Sequence, residues 1–293
     1  MKIFPELSIG TANFNNQYGI YKKTSIKKAE QEILLDNAWN SGFTSIDTAV
    51  GYKDVHQSLS KLHSFKKHQW KLTTKIPSIE LETSKEKTIS WVISLIEESL
   101  NDLKIDKVDT VLLHDPKIQM RPTELKYTLK GLDLAYESGL IAKYGISLYE
   151  PTQSDILIKY FNEKDSFVIQ GPMNLFDRRM EQYTSCNNSS LKFEARSIFL
   201  QGMLIHLKMF QEHFGKIPEL LNFKSWLDKS GISPLEACIS FAKYSNADKI
   251  ILGFGNNDEL TNFYKVFKAI SNFNPPVFCN DENIMNPLNW KSV

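Results

Sequence analysis

The sequence predicts a closed parallel (β/α)8 barrel, the TIM-barrel class, occupying residues 1–293 as a single domain. Three observations carry that expectation. From residue 7 onward, strand-like and helix-like stretches alternate about eight times with no linker between them, the pattern of a parallel sheet closed by crossover helices. The first strand leads into Gly10-Thr11-Ala12-Asn13 rather than a GxGxxG turn, the usual mark of the competing open doubly wound sheet. A chain of 293 residues, 42% apolar, buries enough surface to fold without disulfides or metal and falls in the size range of one α/β barrel.

The elements follow in order. Residues 7–12 read as a short strand ending in small side chains. Ile26, Ala29, Ile33, Leu34 and Ala38 recur at helical spacing over 26–40, and Ser41-Gly42 stops that helix. A second strand runs to Thr48, a helix is expected over 54–62, and residues 72–75 form a third strand that Pro77 halts. Ile89, Val92, Ile93, Ile96 and Leu100 share one face of a helix over 88–100. The fourth strand runs from Val108 to His114, and a helix from about 123 to 137 follows. Residues 141–147 form the next strand, and Pro151 opens the helix after it. Strands are then expected over 167–170, 193–197 and 250–253, with helices over 234–244 and 258–269. The stretches 181–190 and 201–231 read as loops and extra helices over the barrel mouth.

Charge and cysteine usage narrow the function. A net charge of +1 argues against a dedicated nucleic-acid binder. Cys186, Cys238 and Cys279 are widely spaced and form no CxxC, as expected of idle thiols in a reducing cytoplasm. Neither a signal peptide nor an apolar run of membrane-spanning length is visible, so a cytoplasmic protein is expected.

Four reactive side chains stand at successive strand ends: Asp47, Tyr52 five residues later, Lys75 and His114. In a barrel the C-terminal strand ends face one pocket, so these residues should converge. Taken singly, each has an ordinary role: Asp47 as a helix N-cap, Tyr52 as a surface aromatic, Lys75 as a solvated charge, His114 as part of a strand-end turn. Their joint appearance, in this order, is far more specific. Ile46-Asp47-Thr48-Ala49-Val50-Gly51-Tyr52 together with Lys75 and His114 resembles the signature of the aldo-keto reductases, and the likeness runs over nearly the whole chain.

That resemblance implies NADP(H)- or NAD(H)-dependent reduction of an aldehyde or ketone. Such a reaction needs a hydride, which no side chain donates, and a proton. Tyr52 would supply the proton. A free phenol, with a pKa of about 10, is a poor acid near neutrality; the Lys75 ammonium would favour the phenolate and lower it. Asp47 would hold Lys75, and His114 would orient the substrate carbonyl. Gly10 and Thr11 match the family's first strand. Ser147 and Gln170 match residues that bond the nicotinamide carboxamide. The run from Arg196 to Leu204 matches the cofactor-covering strand and loop, and the segment containing Gly253, Gly255, Asn256 and Asn257 matches the site of the adenosine phosphate. Arg196 replaces an aromatic and is expected to touch cofactor or substrate, with a surface or ion-paired arginine as the plain alternative.

Two further departures stand out. Lys53-Asp54-Val55-His56 replaces the Gly-x-Ser-Glu that often follows the tyrosine, and Leu148 replaces an asparagine beside Ser147. Asp258 and Glu259 stand where NADP-binding relatives carry basic residues. Loss of one charged hydrogen bond, worth roughly 1.5–3 kcal/mol, would weaken or remove a preference for NADPH. Asn256 and Asn257 could bind phosphate or merely cap a helix. Substrate is expected to be set by residues 18–21, 117–121 and 201–231. The Tyr-Gly-Ile and Arg-Ser-x-Phe-Leu-Gln-Gly sequences resemble a subgroup linked to bacterial surface-sugar biosynthesis, which implies a keto- or aldehydo-sugar, free or nucleotide-linked. Two alternatives remain at this point: a nicotinamide-binding regulatory subunit on the same fold, and a Schiff-base aldolase using Lys75.

Overall fold

The computed structural model describes residues 4–15, 25–52, 54–77, 84–114, 121–151, 167–184 and 191–290. Its strands β1 (Glu6–Gly10), β2 (Ser45–Asp47), β3 (Lys71–Ile76), β4 (Val108–Leu113), β5 (Ile141–Ser147), β6 (Phe167–Pro172), β7 (Leu191–Arg196) and β8 (Lys249–Leu252) form a closed barrel in chain order. All pairings are parallel, and β8 returns to β1 with Leu252 opposite Ile9. The expected (β/α)8 barrel is the observed fold.

Apolar residues sit mainly between the barrel wall and the helices. Ile46, Leu72 and Ile76 are buried there, as are Val92, Ile96 and Leu103 of helix α4 (Lys85–Leu103). The i, i+4 spacing that predicts this helix is what lays its stripe on the sheet. Helix α5 (Pro122–Glu137) packs against α4 at Gly131, where a Cβ would come within 2.9 Å of the Val92 Cβ. On β5, a Cβ at Gly145 would fall 1.7 Å from the Val168 carbonyl oxygen, so only glycine permits the close β5–β6 approach.

Several boundaries differ from the sequence reading. The helix expected over 54–62 ends early, as α2 (Val55–Leu59), and a separate short helix, α3 (His63–Lys67), follows where none was expected. Glu32 of α1 (Lys28–Asn40) explains the break: its carboxylate accepts from His63 N (2.7 Å), Ser64 N (2.9 Å) and Ser64 Oγ (2.7 Å). These are orphan donors at the start of α3, and a carboxylate satisfies them and the helix dipole together. His114 lies one residue past β4, where its N–H donates to Ile76 O at 2.7 Å. The expected mouth segments include helices α6 (Glu181–Thr184), α7 (Leu207–Phe214) and α8 (Pro218–Ser230), and the helix expected over 234–244 is α9 (Pro234–Lys243). The 3₁₀ turn Pro287–Asn289 near the end of the described chain was not anticipated. The helix opened by Pro151, the 18–21 loop, Cys186 and nearly all of 117–121 fall outside the described residues. Cys238 and Cys279 are buried free thiols; burial raises both, that of Cys279 to about 11. Among the described residues, no helix is long and apolar enough to cross a membrane.

Candidate active site

Lys75, the penultimate residue of β3, is 2% exposed and points into the barrel. Its Nζ donates to Asp47 Oδ1 at 2.5 Å and to Thr48 O at 3.0 Å, both at the end of β2. The same Nζ stands 5.7 Å from the centre of the Tyr52 ring. Two backbone hydrogen bonds hold this turn against β3, Thr48 N to Thr73 O and Val50 N to Lys75 O, and a third, Tyr52 N to Ala49 O, closes the turn itself. Tyr52 is half-buried, with its body against the core. His114 is also half-buried and stands at the adjoining strand end, one step beyond the Ile76–Leu113 pair. The four predicted residues thus occupy the C-terminal mouth of neighbouring strands, with Asp47, Lys75 and Tyr52 in direct proximity.

Burial lowers the pKa of Lys75, because the barrel interior replaces the ammonium's hydration shell; Asp47 opposes the shift and Arg196 adds to it. Thr11 steadies the other side of Asp47, donating its N–H and Oγ to Asp47 O, each at 3.0 Å. Gly10 stands opposite Asp47 in the register, and a Cβ placed on Gly253 would lie 3.8 Å from Gly10 O.

A second ion pair lies across the barrel. Glu194 of β7 and Lys249 of β8 are register partners, with Oε1 to Nζ 2.7 Å. Burial works against the Lys249 charge, but Glu194, Glu6 and Asp47 together raise its pKa. Gln170 of β6 joins the two pairs: its Nε2 donates to Asp47 Oδ2 at 2.9 Å and to Glu194 Oε2 at 3.2 Å. Ser147 Oγ donates to Gln170 Oε1 at 3.3 Å. The result is a buried string, Lys75–Asp47–Gln170–Glu194–Lys249, spanning β2, β3, β6, β7 and β8. Glu194 and Lys249 were not singled out from the sequence. A faint signal existed: Lys192, Glu194 and Arg196 alternate with Leu191, Phe193 and Ala195, placing a charge in the middle of a strand.

Arg196 ends β7. Its Nη2 donates to Leu148 O at 2.7 Å, its Nη1 to Ser197 Oγ at 3.3 Å, and its guanidinium lies 4.4 Å from the Tyr149 ring centre. It is therefore stacked and anchored, half-buried beside the mouth rather than loose on the surface. The loop that follows carries left-handed backbone at Ser197, Leu200 and Gln201 (φ 58°, 46° and 57°), a sparsely populated region for residues with a Cβ. Ile198, Leu200, Met203 and Leu204 are buried and hold it in that shape. Gln201 Oε1 is buried with no hydrogen-bond partner among the described residues.

The nicotinamide cofactor implied by the sequence meets a compatible donor set here. A carboxamide both donates and accepts; Ser147 Oγ and Gln170 Oε1, on fully buried side chains at neighbouring strand ends, supply a hydroxyl and a carbonyl acceptor that now bond each other. The unpaired Gln201 oxygen lies in the left-handed loop that follows β7. At the other end, α10 (Asn257–Ala269) begins with its anion site already filled. Glu259 accepts from Gly255 N at 2.7 Å, and Asn256 Oδ1 accepts from Glu259 N at 2.9 Å. Asn257 Oδ1 accepts from Asn37 Nδ2 at 2.7 Å. Both asparagine side chains are thus engaged within the protein, one as a cap and one as a tie to α1. A carboxylate at this position suits ribose hydroxyls and repels a 2′-phosphate.

Similarity to known proteins agrees with this geometry. Residues 6–274 match the model of the aldo/keto reductase family. An uncharacterized oxidoreductase of Schizosaccharomyces pombe, C28F2.05, is 24% identical over 271 residues, covering 88% of this chain and 92% of that protein. Two solved structures share the fold at low identity. Aldo-keto reductase AKR11C1 from Bacillus halodurans, in its holo form, superposes with a TM-score of 0.69 at 17% identity, covering 98% of this chain and 93% of that one. Glycerol dehydrogenase AKR11B4 from Gluconobacter oxydans gives 0.67 at 18%, covering 90% and 87%. With a family match spanning nearly the whole barrel and reactive residues collected at its mouth, this chain belongs to the aldo/keto reductase family.

Proposed function

We propose that the protein reduces an aldehyde or ketone to an alcohol with a nicotinamide cofactor, Tyr52 acting as the general acid. The observation that supports this best is a fully buried lysine held by Asp47 beside the Tyr52 ring. The bound cofactor supplies the hydride; the protein supplies position and the proton. As negative charge grows on the substrate oxygen, the Tyr52 hydroxyl donates to it. The nearby Lys75 ammonium stabilises the phenolate left behind, and Asp47 keeps that ammonium aimed. His114, at the next strand end, orients the carbonyl oxygen. Lys75 is a donor to Asp47 and Thr48 O, which favours this electrostatic role over a Schiff-base nucleophile.

Ser147 and Gln170 are assigned to the carboxamide, Gly10, Thr11 and Gly253 to the close approach of the strand ends, and Arg196 to the ring or to an anionic group of the substrate. Gly255, Asn256 and Asn257 shape the adenosine end, where Glu259 favours NADH over NADPH. For the substrate we favour a keto- or aldehydo-sugar, a reading that rests on the resemblance carried by Gly-Thr-Ala-x-Phe from Gly10, Tyr-Gly-Ile from Tyr18 and Arg-Ser-x-Phe-Leu-Gln-Gly from Arg196. Tyr52→Phe tests the assignment: turnover of a generic aldehyde should fall by about 10²–10⁴, while the affinity for NADH, read by tryptophan quenching, stays within about twofold. Undiminished turnover in that variant would remove Tyr52 from its role.

A further inference from the structure

Among the described residues, the amide of Gln170 is the one group hydrogen-bonded to both buried ion pairs. A terminal amide torsion is broad and two-fold, so its orientation is decided by neighbours rather than by its own rotamer. Here both neighbours on the nitrogen side are carboxylate oxygens, Asp47 Oδ2 at 2.9 Å and Glu194 Oε2 at 3.2 Å. A flipped amide would set Oε1 against two anionic oxygens in a site shielded from water, where such contacts are expensive. The carbonyl oxygen therefore points away from both, toward Ser147, whose Oγ donates to it over a long 3.3 Å; both side chains are fully buried, so a ligand reaches this oxygen only from the Ser147 side. Glu194 in turn is held by Lys249 at 2.7 Å from its other oxygen.

We infer that Glu194, clamped by Lys249, is a positioning residue that fixes the Gln170 amide with its carbonyl oxygen toward the pocket, as the acceptor for the N–H of the cofactor's carboxamide. This rests on the nicotinamide reading proposed above and goes beyond it, since that reading gives no role to Glu194 or Lys249. Asp47 alone is a weaker guide, because its other oxygen is committed to Lys75. Losing Glu194 frees the Gln170 amide to sample both orientations.

The test compares NADH with its reduced 3-acetylpyridine analogue, whose acetyl group keeps the carbonyl and lacks the amide N–H. Binding is read by tryptophan quenching for the wild type, Glu194→Gln, and the double variant Glu194→Leu/Lys249→Met. The double variant exchanges a buried ion pair for apolar side chains of similar size, a change proteins often tolerate. In Glu194→Gln the new amide keeps its oxygen on Lys249 and turns its NH2 on Gln170, which favours the flipped orientation. Wild type should prefer NADH by about 3- to 10-fold, the worth of one hydrogen bond. In both variants that ratio should fall toward one while the affinity for the analogue itself changes little. A ratio unchanged in either folded variant, or no preference in wild type, overturns the role of Glu194. Absence of NADH and NADPH binding to the wild type would instead overturn the nicotinamide reading itself, so the two failures are told apart.

Discussion

The barrel holds two buried lysine–carboxylate pairs of nearly equal geometry, Lys75–Asp47 at 2.5 Å and Lys249–Glu194 at 2.7 Å, and their surroundings push the two lysines in opposite directions. For Lys75 burial outweighs Asp47 and the more distant Glu194, with Arg196 adding to it, so its pKa falls. Lys249 lies within reach of Glu194, Glu6 and Asp47, so the anions prevail and its pKa rises. An ion pair at the mouth, with a phenol beside it, is set up to respond to charge developing in a substrate. A pair lower in the barrel, surrounded by anions, is set up to stay as it is. Distance alone does not separate the two; the net charge around each does.

Removing one lysine at a time gives the largest expected effect. Lys75→Met and Lys249→Met each strand a buried carboxylate, so each should cost about 3–5 kcal/mol of stability in chemical denaturation. Their effects on turnover should diverge. Lys75→Met should lose about 10²–10⁴ in kcat, with the remainder depending weakly on pH, because the tyrosine no longer has a cation beside it. Lys249→Met should lose no more than about tenfold, the order of one misdirected hydrogen bond. Equal losses in kcat, measured below the melting range of both variants, would show that the two pairs are not functionally distinct.

The outer flank of the first pair offers the next test. His56, on α2, is buried on the helix side of β3 and lies 3.1 Å from Thr74 Oγ1, one residue from Lys75. Burial, with a smaller contribution from the Lys75 charge and against that of Asp102, lowers its pKa from 6.5 to about 4. The unfolded chain binds that proton near pH 6.5 and the folded one only near pH 4. Stability from this site is therefore complete above about pH 6.5 and is lost as pH falls toward 4, by about 3 kcal/mol in all. His56→Gln should flatten that part of the stability curve. Adding Lys75→Met to the wild type should move the His56 titration, followed by NMR, upward. No movement would mean that His56 does not sense the pair.

The half of this comparison to which catalysis is assigned above was legible in the sequence and the supporting half was not. Asp47, Tyr52, Lys75 and His114 combine unusual residue types with strand-end positions, two signals that reinforce each other. One strand was legible for a more local reason: residues 141–147 begin as expected because the Gly139 turn (φ 77°) ends the preceding helix just before a short run led by Ile141. Glu194 and Lys249 sit in short strands as ordinary charged residues, and their partnership depends on the β7–β8 register, which nothing local specifies. The split between α2 and α3 escaped for the same cause, since the capping carboxylate comes from Glu32 on a different helix. The readings of Asn256 and Asn257 stayed divided until the structure showed both side chains bonded within the protein.

Glu259 extends the rule drawn from the two pairs to a carboxylate facing backbone donors. It accepts from Gly255 N at 2.7 Å at the head of α10, with Asp258 beside it in the first helical turn. Negative charge is favourable there because the helix start presents unpaired N–H groups and a partial positive charge. Those are the features a phosphate would use, so the side chain competes with a 2′-phosphate for the same donors and repels it. Glu259→Lys removes the competitor and adds a cation. The ratio of NADPH to NADH affinity should rise by about 10- to 100-fold, corresponding to one charged hydrogen bond of roughly 1.5–3 kcal/mol. Glu259→Gln, which only removes charge, should give a smaller rise in the same direction. Both shifts should shrink as salt is added, because this site is partly exposed and screening weakens it. A preference that does not move in either variant would mean that the 2′ position of the ribose lies away from Glu259.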